Sequence, residues 1–307
     1  MRCLYVFNKL SGGNKEIYYH EKIISTLKEI YDNVDLFEVR NENISSRLSK
    51  NNYDDVICSG GDGSITLLVN ELINFGFKGN VGYIPLGTAN DFARKHNIPL
   101  NVSKALKIIK NKNIELINVG KANEYNFLYG LALGKASSVG FKVSKESKRN
   151  FSKFAYVIEG LKELFSLKKY KIKLKFTAYN IEYKTPLVLI IDSKSLGGFK
   201  INKGKSNAYD VIILKPKLLN GAIGLISIFL FGYKKTNTIF YDYFNLQEFE
   251  LEVEKSQDWC LDGEKINAKN IKVLAHKEDI KLYKKVGWIR LIFLIYDHLW
   301  SHRDLWC

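Results

Sequence analysis

The chain has 307 residues and a mass of 35.3 kDa, which is long for a single hydrophobic core and predicts two domains. Its 46% apolar and 26% charged residues are typical of a folded protein and exclude an intrinsically disordered one. The 47 Lys and Arg residues against 32 Asp and Glu give a net charge of +15, which favours an anionic partner such as nucleic acid, a phosphorylated substrate or a lipid headgroup.

Residues 1–120 alternate short apolar runs with amphipathic stretches, a pattern that predicts an α/β domain built on a parallel sheet. Four strands are expected, at Leu4 to Phe7, Val34 to Val39, Asp55 to Cys58 and Val81 to Leu86. After the first strand, apolar side chains recur at helical spacing and predict a helix whose buried face carries Ile17, Ile23, Ile24, Leu27, Ile30 and Tyr31. The N-terminal apolar run is only four residues long, as expected of a strand rather than a signal peptide.

A glycine-rich turn, Ser59-Gly60-Gly61-Asp62-Gly63-Ser64, follows the third predicted strand and leads into a predicted helix over residues 65–75. Glycines at a strand-to-helix turn let the backbone approach a bulky anion, which N–H groups and the helix dipole then stabilise. Ser64 is expected to cap the helix. Because a carboxylate would repel bare phosphate, Asp62 is expected to hold Mg²⁺ or one of its waters, or to accept from a hydroxyl. A tight turn with Asp62 as the turn former is the alternative.

A second turn of small and polar residues follows the fourth predicted strand. It contains Gly87, Thr88 and Asn90 within the segment Pro85-Leu86-Gly87-Thr88-Ala89-Asn90-Asp91-Phe92-Ala93-Arg94. Open α/β sheets bind ligands at the carboxyl ends of their strands. One such segment could simply be an N-capped helix, but two of them after adjacent strands favour a shared ligand site.

Residues 121–285 predict a second, mostly antiparallel β-rich domain. Apolar residues alternate with lysines over 170–178, and further strands are expected at 187–191, 211–214, 249–253 and 271–274. A helix is expected over 151–165, where apolar residues fall on one face. Residues 286–307 include the apolar run WIRLIFLIYDHLW, which is too short to span a bilayer, and predict a helix packed on the first domain or lying at a membrane interface.

Four motifs in the chain together resemble the diacylglycerol kinase catalytic domain family of bacterial lipid kinases, which is related to the sphingosine kinases and more distantly to the NAD kinases. They occur in the family's order from residue 8 to residue 264, and they are Asn8-Lys9-Leu10-Ser11-Gly12, the Gly60 to Ser64 loop, the Gly87 to Arg94 segment and Asp262-Gly263-Glu264. The resemblance implies a nucleotide-binding first domain, a lipid-substrate second domain and a cleft between them. It also implies ATP with Mg²⁺, and attack of a lipid hydroxyl on the γ-phosphate.

The resemblance also assigns roles to individual residues. Asp262 is implied as the general base, with Glu264 as its alternative or partner. On an extended segment these two side chains would share a face, whereas a surface β-turn is the alternative structure for Asp-Gly-Glu. Nucleotide contacts are implied for the opening turn and the two glycine loops, that is for Asn8, Ser11, Gly12, Gly60, Gly61, Asp62, Gly63, Ser64, Gly87, Thr88 and Asn90, and the metal contact for Asp62.

The sequence departs from the family pattern at three places. Lys9 stands where the family has proline, and Thr66-Leu67 stands where it usually has Asn-Glu, so one nucleotide or metal contact is expected to be missing. Ser206-Asn207 stands where relatives have an Asp-Gly pair whose Asp holds a structural Mg²⁺, so this ion is expected to be absent.

The leading interpretation is therefore a lipid kinase acting on diacylglycerol or a similar lipid alcohol, located in the cytoplasm and bound peripherally to the anionic inner face of the membrane. The distance between the four cysteines, which excludes a CxxC site, agrees with a reducing compartment. A nucleotide-binding regulator or membrane accessory protein that has lost catalysis is one alternative, and an NAD kinase-like enzyme is another. Nucleic-acid binding is not expected, because only the net charge favours it. The oligomeric state is left open, with a homodimer as one possibility.

Overall fold

The computed structural model describes residues 1–9, 15–39, 44–134, 168–192, 195–196, 199–200, 208–216, 224, 227–228 and 232–285. Ser11, Gly12 and Ser206-Asn207 lie outside these residues, as do the helix predicted over 151–165 and the terminal segment 286–307. The helices of the described part are α1 (Lys15–Lys28), α2 (Ile44–Leu48), α3 (Asp62–Phe75), α4 (Asp91–Lys95) and α5 (Val102–Lys110). None of them is long and apolar enough to cross a membrane.

The first four strands of the described part alternate with the helices along the chain, and the later strands follow α5. In the first half they are β1 (Arg2–Phe7), β2 (Asn33–Glu38), β3 (Asp55–Gly60), β4 (Asn80–Pro85), β5 (Ile114–Ala122), β6 (Tyr125–Phe127) and β7 (Gly130–Leu133). In the second half they are β8 (Tyr170–Phe176), β9 (Tyr179–Thr185), β10 (Val188–Ile191), β11 (Ser195–Leu196), β12 (Phe199–Lys200), β13 (Tyr209–Leu214), β14 (Tyr241–Leu246), β15 (Phe249–Leu261) and β16 (Glu264–Tyr283).

One sheet joins fourteen of these strands, with a central order of β14-β13-β10-β7-β15-β16-β4-β3-β1-β2. The β4-β3-β1-β2 portion is parallel, and the β14 to β16 portion pairs antiparallel. In β1, Leu4 and Val6 belong to one hydrophobic core while Tyr5 and Phe7 belong to another, so the parallel portion is buried on both faces. The predicted fold class, a parallel α/β portion followed by a mostly antiparallel β-rich portion, is confirmed.

Strand β16 connects the two portions of the sheet. It pairs antiparallel with β15 from Glu264 and with β5, and at Lys281 and Leu282 it also runs parallel to β4. Ile280 and Leu282 lie in the same core as Leu4. The end of β16 therefore completes the parallel portion of the sheet. The domain boundary expected between residues 120 and 121 stays a prediction.

The four predicted N-terminal strands are confirmed, but the predicted buried face of the first helix was wrong at Ile17, and Ile30 and Tyr31 lie beyond the end of α1 at Lys28. Ile17 is 63% exposed. The residue before it, Glu16, faces the core in the first turn of α1, on the same side of the helix as Ile23 and Leu27. Neighbouring positions on a helix point about 100° apart, so burial of Glu16 turns Ile17 to solvent.

The lysine-rich strand β8 has the predicted alternation, with Tyr170, Ile172 and Leu174 buried. Its lysines could form either a solvated strand face or a contact with an anionic membrane. Lys171 pairs with Glu254 at 2.7 Å and Lys175 pairs with Glu252 at 2.7 Å across to β15. These cross-strand ion pairs favour the solvated face.

Candidate functional site

The first glycine loop forms a sharp connection between β3 and α3. Gly60 has a φ of 146°, a conformation that other residues rarely adopt, and Gly61 is the extended residue before the helix. The helix starts at Asp62, and the residue before it makes no side-chain cap bond. The predicted cap at Ser64 was therefore wrong, since Ser64 already lies within the first turn. The Ser64 and Ile65 N–H groups donate to the Gly61 carbonyl, so Asp62 and Gly63 carry the N–H groups that point out of the N-terminus of α3.

The two predicted glycine loops are in contact with each other. A Cβ atom on Gly87 would lie 2.6 Å from the Cα of Gly61, so only glycine permits this approach. At Gly63 the position of a Cβ is open space, with no heavy atom within 4 Å. The packed loops thus leave room at the N-terminus of α3 for an incoming group.

Asn90 shapes the second loop from within. Its backbone is left-handed, with a φ of 52°, and its side chain is buried. Its Oδ1 accepts from the Gly87 N–H at 2.9 Å and its Nδ2 donates to the Gly87 carbonyl at 2.7 Å. Because both ends of this amide bond to its own loop, the geometry supports a shaping role for Asn90, while the exposed Thr88 is the side chain open to a ligand.

Asp62 joins the first loop to α4. Its Oδ1 accepts a hydrogen bond from the backbone N–H of Phe92 at 3.0 Å, in the first turn of α4. Burial and the nearby Asp91 carboxylate raise the pKa of Asp62 to about 6, although backbone N–H groups act in the opposite direction. Capping α4 is a role that the sequence did not indicate, because it depends on two loops meeting in space.

Asp262 lies in the tight turn between β15 and β16. Asp262 and Gly263 both have left-handed backbones, with φ of 49° and 95°, as in a two-residue hairpin turn. Asp262 is 5% exposed, whereas Glu264 is exposed at the start of β16. The expectation that Asp262 and Glu264 share a face of an extended segment was therefore wrong.

Three backbone N–H groups hold the Asp262 carboxylate. Tyr129 and Gly130 donate to Oδ1 at 3.0 and 2.9 Å, and Leu128 donates to Oδ2. We refer to the segment Leu128–Gly130 as the carboxylate cradle. Burial raises the pKa of Asp262 to about 7, and the cradle N–H groups and Lys95 limit that rise. A carboxyl group with such a pKa can accept and release a proton near neutral pH.

The Tyr129 side chain links the Asp262 turn to the glycine loops. Its hydroxyl donates to the Asp262 carbonyl. Burial raises the pKa of Tyr129, and the carboxylates of Asp262, Asp62 and Asp91 raise it further. The charges of all three carboxylates thus act on one hydroxyl, although Asp62 and Asp262 are 200 residues apart in the chain. Asp91 was not among the predicted site residues, although it lies inside the second motif.

Whether a metal ion fits the candidate site depends on the carboxylates of Asp62 and Asp91. In the part of the chain that is described, no group of three or more His, Cys, Asp or Glu side chains could hold a metal by itself. Mg²⁺ usually keeps several waters and binds through one or two carboxylates together with substrate phosphates. The two carboxylates fit an ion that arrives with a nucleotide.

The opening motif is described only in part. Asn8 follows β1 and is half-buried, in keeping with a place at the carboxyl edge of the sheet. Behind it, the fully buried Glu16 accepts from the Tyr5 hydroxyl at 2.8 Å and from the Ser59 hydroxyl at 2.6 Å. This network ties α1 to the residue before Gly60, and no sequence pattern had indicated it.

Comparison with known proteins confirms the predicted resemblance. Residues 2–122 match the family model of the diacylglycerol kinase catalytic domain. A diacylglycerol kinase of Staphylococcus saprophyticus is 28% identical over 156 residues, which are 51% of this chain and 51% of that relative, so the alignment spans about half the relative's length. One from Bacillus subtilis is 28% identical over 220 residues, 69% of this chain and 71% of that protein.

A solved structure extends the likeness beyond residue 122. The crystal structure of a diacylglycerol kinase from Bacillus anthracis str. Sterne is similar with a TM-score of 0.73 and 18% identity, covering 92% of this chain and 97% of that one. At this identity the comparison shows a shared fold.

Proposed function

We propose that the protein is a lipid kinase that transfers the γ-phosphate of ATP to the hydroxyl of diacylglycerol or a similar lipid alcohol. The family match over residues 2–122 and the names of the relatives support a kinase. The observation that carries the proposal is the buried Asp262 carboxylate, which helix α4 connects to the first glycine loop. The Phe92 N–H at the start of α4 donates to Asp62, and Lys95 at its end donates to the Leu128 carbonyl of the cradle.

On this proposal the two glycine loops bind ATP. The N-terminal N–H groups of α3 and the open space at Gly63 receive the phosphates, and the loop containing Gly87 and Thr88 forms the other wall. Asp62 and Asp91 would hold Mg²⁺, which would supply positive charge against the phosphates. Asp62 also keeps the two loops together through the Phe92 N–H.

Asp262 acts as the general base on the lipid hydroxyl. The O–H bond breaks and the proton moves to the Asp262 carboxylate, while the hydroxyl oxygen bonds to the γ-phosphorus and ADP leaves with the bridging oxygen. The cradle fixes the carboxylate, and its pKa of about 7 keeps a large fraction ionised at neutral pH. Glu264, exposed beyond the turn, is less suited to this role.

The net charge of +15 supports a peripheral contact with an anionic membrane. Such a contact would bring the site to its apolar substrate.

The decisive experiment is transfer of labelled γ-phosphate from Mg-ATP to a panel of acceptors in mixed micelles: diacylglycerol, monoacylglycerol, ceramide, sphingosine, phosphatidylglycerol and undecaprenol, with NAD as a control. We expect turnover with at least one lipid alcohol and a loss of about 10²- to 10⁴-fold in Asp262→Asn. Phosphorylation of NAD alone would favour the NAD kinase-like alternative. Thermal stabilisation by Mg-ATP without any turnover would favour a regulator.

A further inference from the structure

Lys95 is the last residue of α4 and its ammonium group is directed at the carboxylate cradle. The side chain is 14% exposed, low for a lysine, and its Nζ donates to the Leu128 carbonyl at 2.6 Å and to Asp192 Oδ2 at 2.7 Å. Asp192 is 6% exposed. A buried lysine with two such bonds is fixed in position rather than solvated.

The bonds of Lys95 and Asp192 act on the same peptide groups that hold Asp262. The Leu128 carbonyl, which accepts from Lys95, shares a peptide group with the Tyr129 N–H, which donates to Asp262. The Tyr129 carbonyl accepts from the Asp192 N–H at 2.9 Å and shares a peptide group with the Gly130 N–H, which also donates to Asp262.

Hydrogen bonds in such a chain strengthen one another. A donor on the carbonyl side of a peptide group polarises it and makes its N–H a stronger donor. A charged ammonium is the most effective donor for this purpose. Lys95 therefore both fixes the orientation of the first cradle peptide and increases its attraction for the Asp262 carboxylate.

Helix α4 thereby connects both sides of the site. Its first turn donates to Asp62 through the Phe92 N–H, and its last residue reaches the cradle. We propose that Lys95, paired with Asp192, is a positioning residue that orients the Leu128–Gly130 cradle around Asp262 and so couples the second glycine loop to the general base. The catalytic part of this inference rests on the proposed lipid kinase function.

The kinetic test compares Lys95→Met with Lys107→Met, a matched control at an exposed lysine on α5. We expect Lys95→Met to lower kcat about 10- to 100-fold with Mg-ATP affinity unchanged, and the control to behave as wild type. In an Asp262→Asn background the additional loss from Lys95→Met should vanish, because Lys95 acts through Asp262. Losses that multiply in the double variant would overturn the proposal.

A second measurement does not depend on turnover. Titration of the Asp262 carboxyl carbon by NMR, with the signal assigned from Asp262→Asn, should show a higher pKa in Lys95→Met than in wild type. Within the described residues, Tyr129 and Cys260 are titratable groups whose own pKa the Asp262 charge raises, and both are retained in the variant. An unchanged pKa would refute the positioning role. If Lys95→Met does not fold, Lys95→Gln provides the same comparison.

These readouts separate the two proposals. A wild-type protein that phosphorylates no lipid while the Asp262 pKa still rises in Lys95→Met would refute the kinase function and retain the cradle coupling. Lipid turnover in wild type with full activity in Lys95→Met would retain the kinase function and refute the cradle coupling.

Discussion

At the scale of single residues, Asp262 is subject to two opposing effects. Burial disfavours its charged form, while the cradle N–H groups and Lys95 favour it, and the balance leaves the pKa at about 7. Because only the ionised form can accept the substrate proton, activity should fall as Asp262 becomes protonated at lower pH. We expect kcat/KM to decrease about tenfold per pH unit below pH 7 and to level off above it. A profile measured between about pH 5 and 9 that stays flat through neutrality would contradict a base of this pKa.

The cradle also predicts a stability difference between two variants of the Asp262 turn. In Asp262→Asn one carboxylate oxygen becomes an NH₂ group, which cannot accept from all three cradle donors. Leaving a buried N–H without its acceptor costs about 1 to 3 kcal/mol, so urea denaturation should show a lower free energy of unfolding. Glu264→Gln changes an exposed side chain and should leave it within about 0.5 kcal/mol of wild type. Equal stabilities would show that the cradle bonds contribute nothing.

The candidate site illustrates what a sequence can and cannot predict at this scale. Asp262 and Asp62 were identified because they lie in short motifs. Lys95 and Asp192 are 97 residues apart, and nothing in the local sequence of either one indicates their ion pair. The error at Ser64 has a similar origin, since the helix start depends on the backbone of Gly60 and Gly61 and not on the side chain best suited to capping.

At the scale of elements, the two glycine loops predict opposite outcomes for the same substitution. Gly63→Ala places a methyl group in open space, so the thermal midpoint should stay close to wild type while Mg-ATP affinity falls, because the methyl occupies the proposed phosphate space. Gly87→Ala places a Cβ 2.6 Å from the Cα of Gly61 and should lower the thermal midpoint by several degrees. Calorimetric titration with Mg-ATP and thermal denaturation measure both effects. Normal ATP affinity in Gly63→Ala would place the phosphates elsewhere.

Strand positions were predictable where burial imposes a pattern, and strand lengths were not. Strand β8 has strict alternation because one face is buried. Strands β15 and β16 extend far beyond the predicted segments 249–253 and 271–274. Their added residues mix buried side chains such as Trp259 and Leu282 with exposed charged ones such as Lys265, so no sustained apolar alternation marks them in the sequence.

At the scale of the whole molecule, a polar cluster stabilises the end of the sheet opposite the site. Asp55, at the start of β3 and fully buried, accepts from the Tyr31 and Tyr283 hydroxyls at 2.6 Å each and from Lys112 Nζ at 2.7 Å. Asn80 donates to its other oxygen at 2.8 Å. Burial alone would raise the pKa of Asp55, but Lys112 and the hydroxyls outweigh it and hold the pKa below its usual value.

The Asp55 cluster should therefore affect stability and leave catalysis unchanged. A carboxylate with a depressed pKa stabilises the fold at neutral pH, and this contribution is lost as the pH falls through its folded-state pKa. We expect Asp55→Asn to lower the free energy of unfolding by about 3 kcal/mol at pH 7, and by less near pH 3. Lys112→Gln should show part of the same loss. A difference from wild type that persists in full at pH 3 would exclude the carboxylate charge as its cause.

The end of β16 predicts that the region matching the family model cannot fold alone. A fragment of residues 1–122 keeps β1 to β5 but lacks residues 280–283, which pair with β4 and β5 and bury Ile280, Leu282 and Tyr283. Each of these side chains contributes roughly 1.5 to 3 kcal/mol on burial, so their combined loss is comparable with the whole stability of a typical domain. We expect the fragment to lack a cooperative thermal transition and any stabilisation by Mg-ATP, whereas the full chain shows both. A fragment that unfolds cooperatively and binds Mg-ATP would show that the N-terminal portion is an independent domain and that β16 only docks onto it.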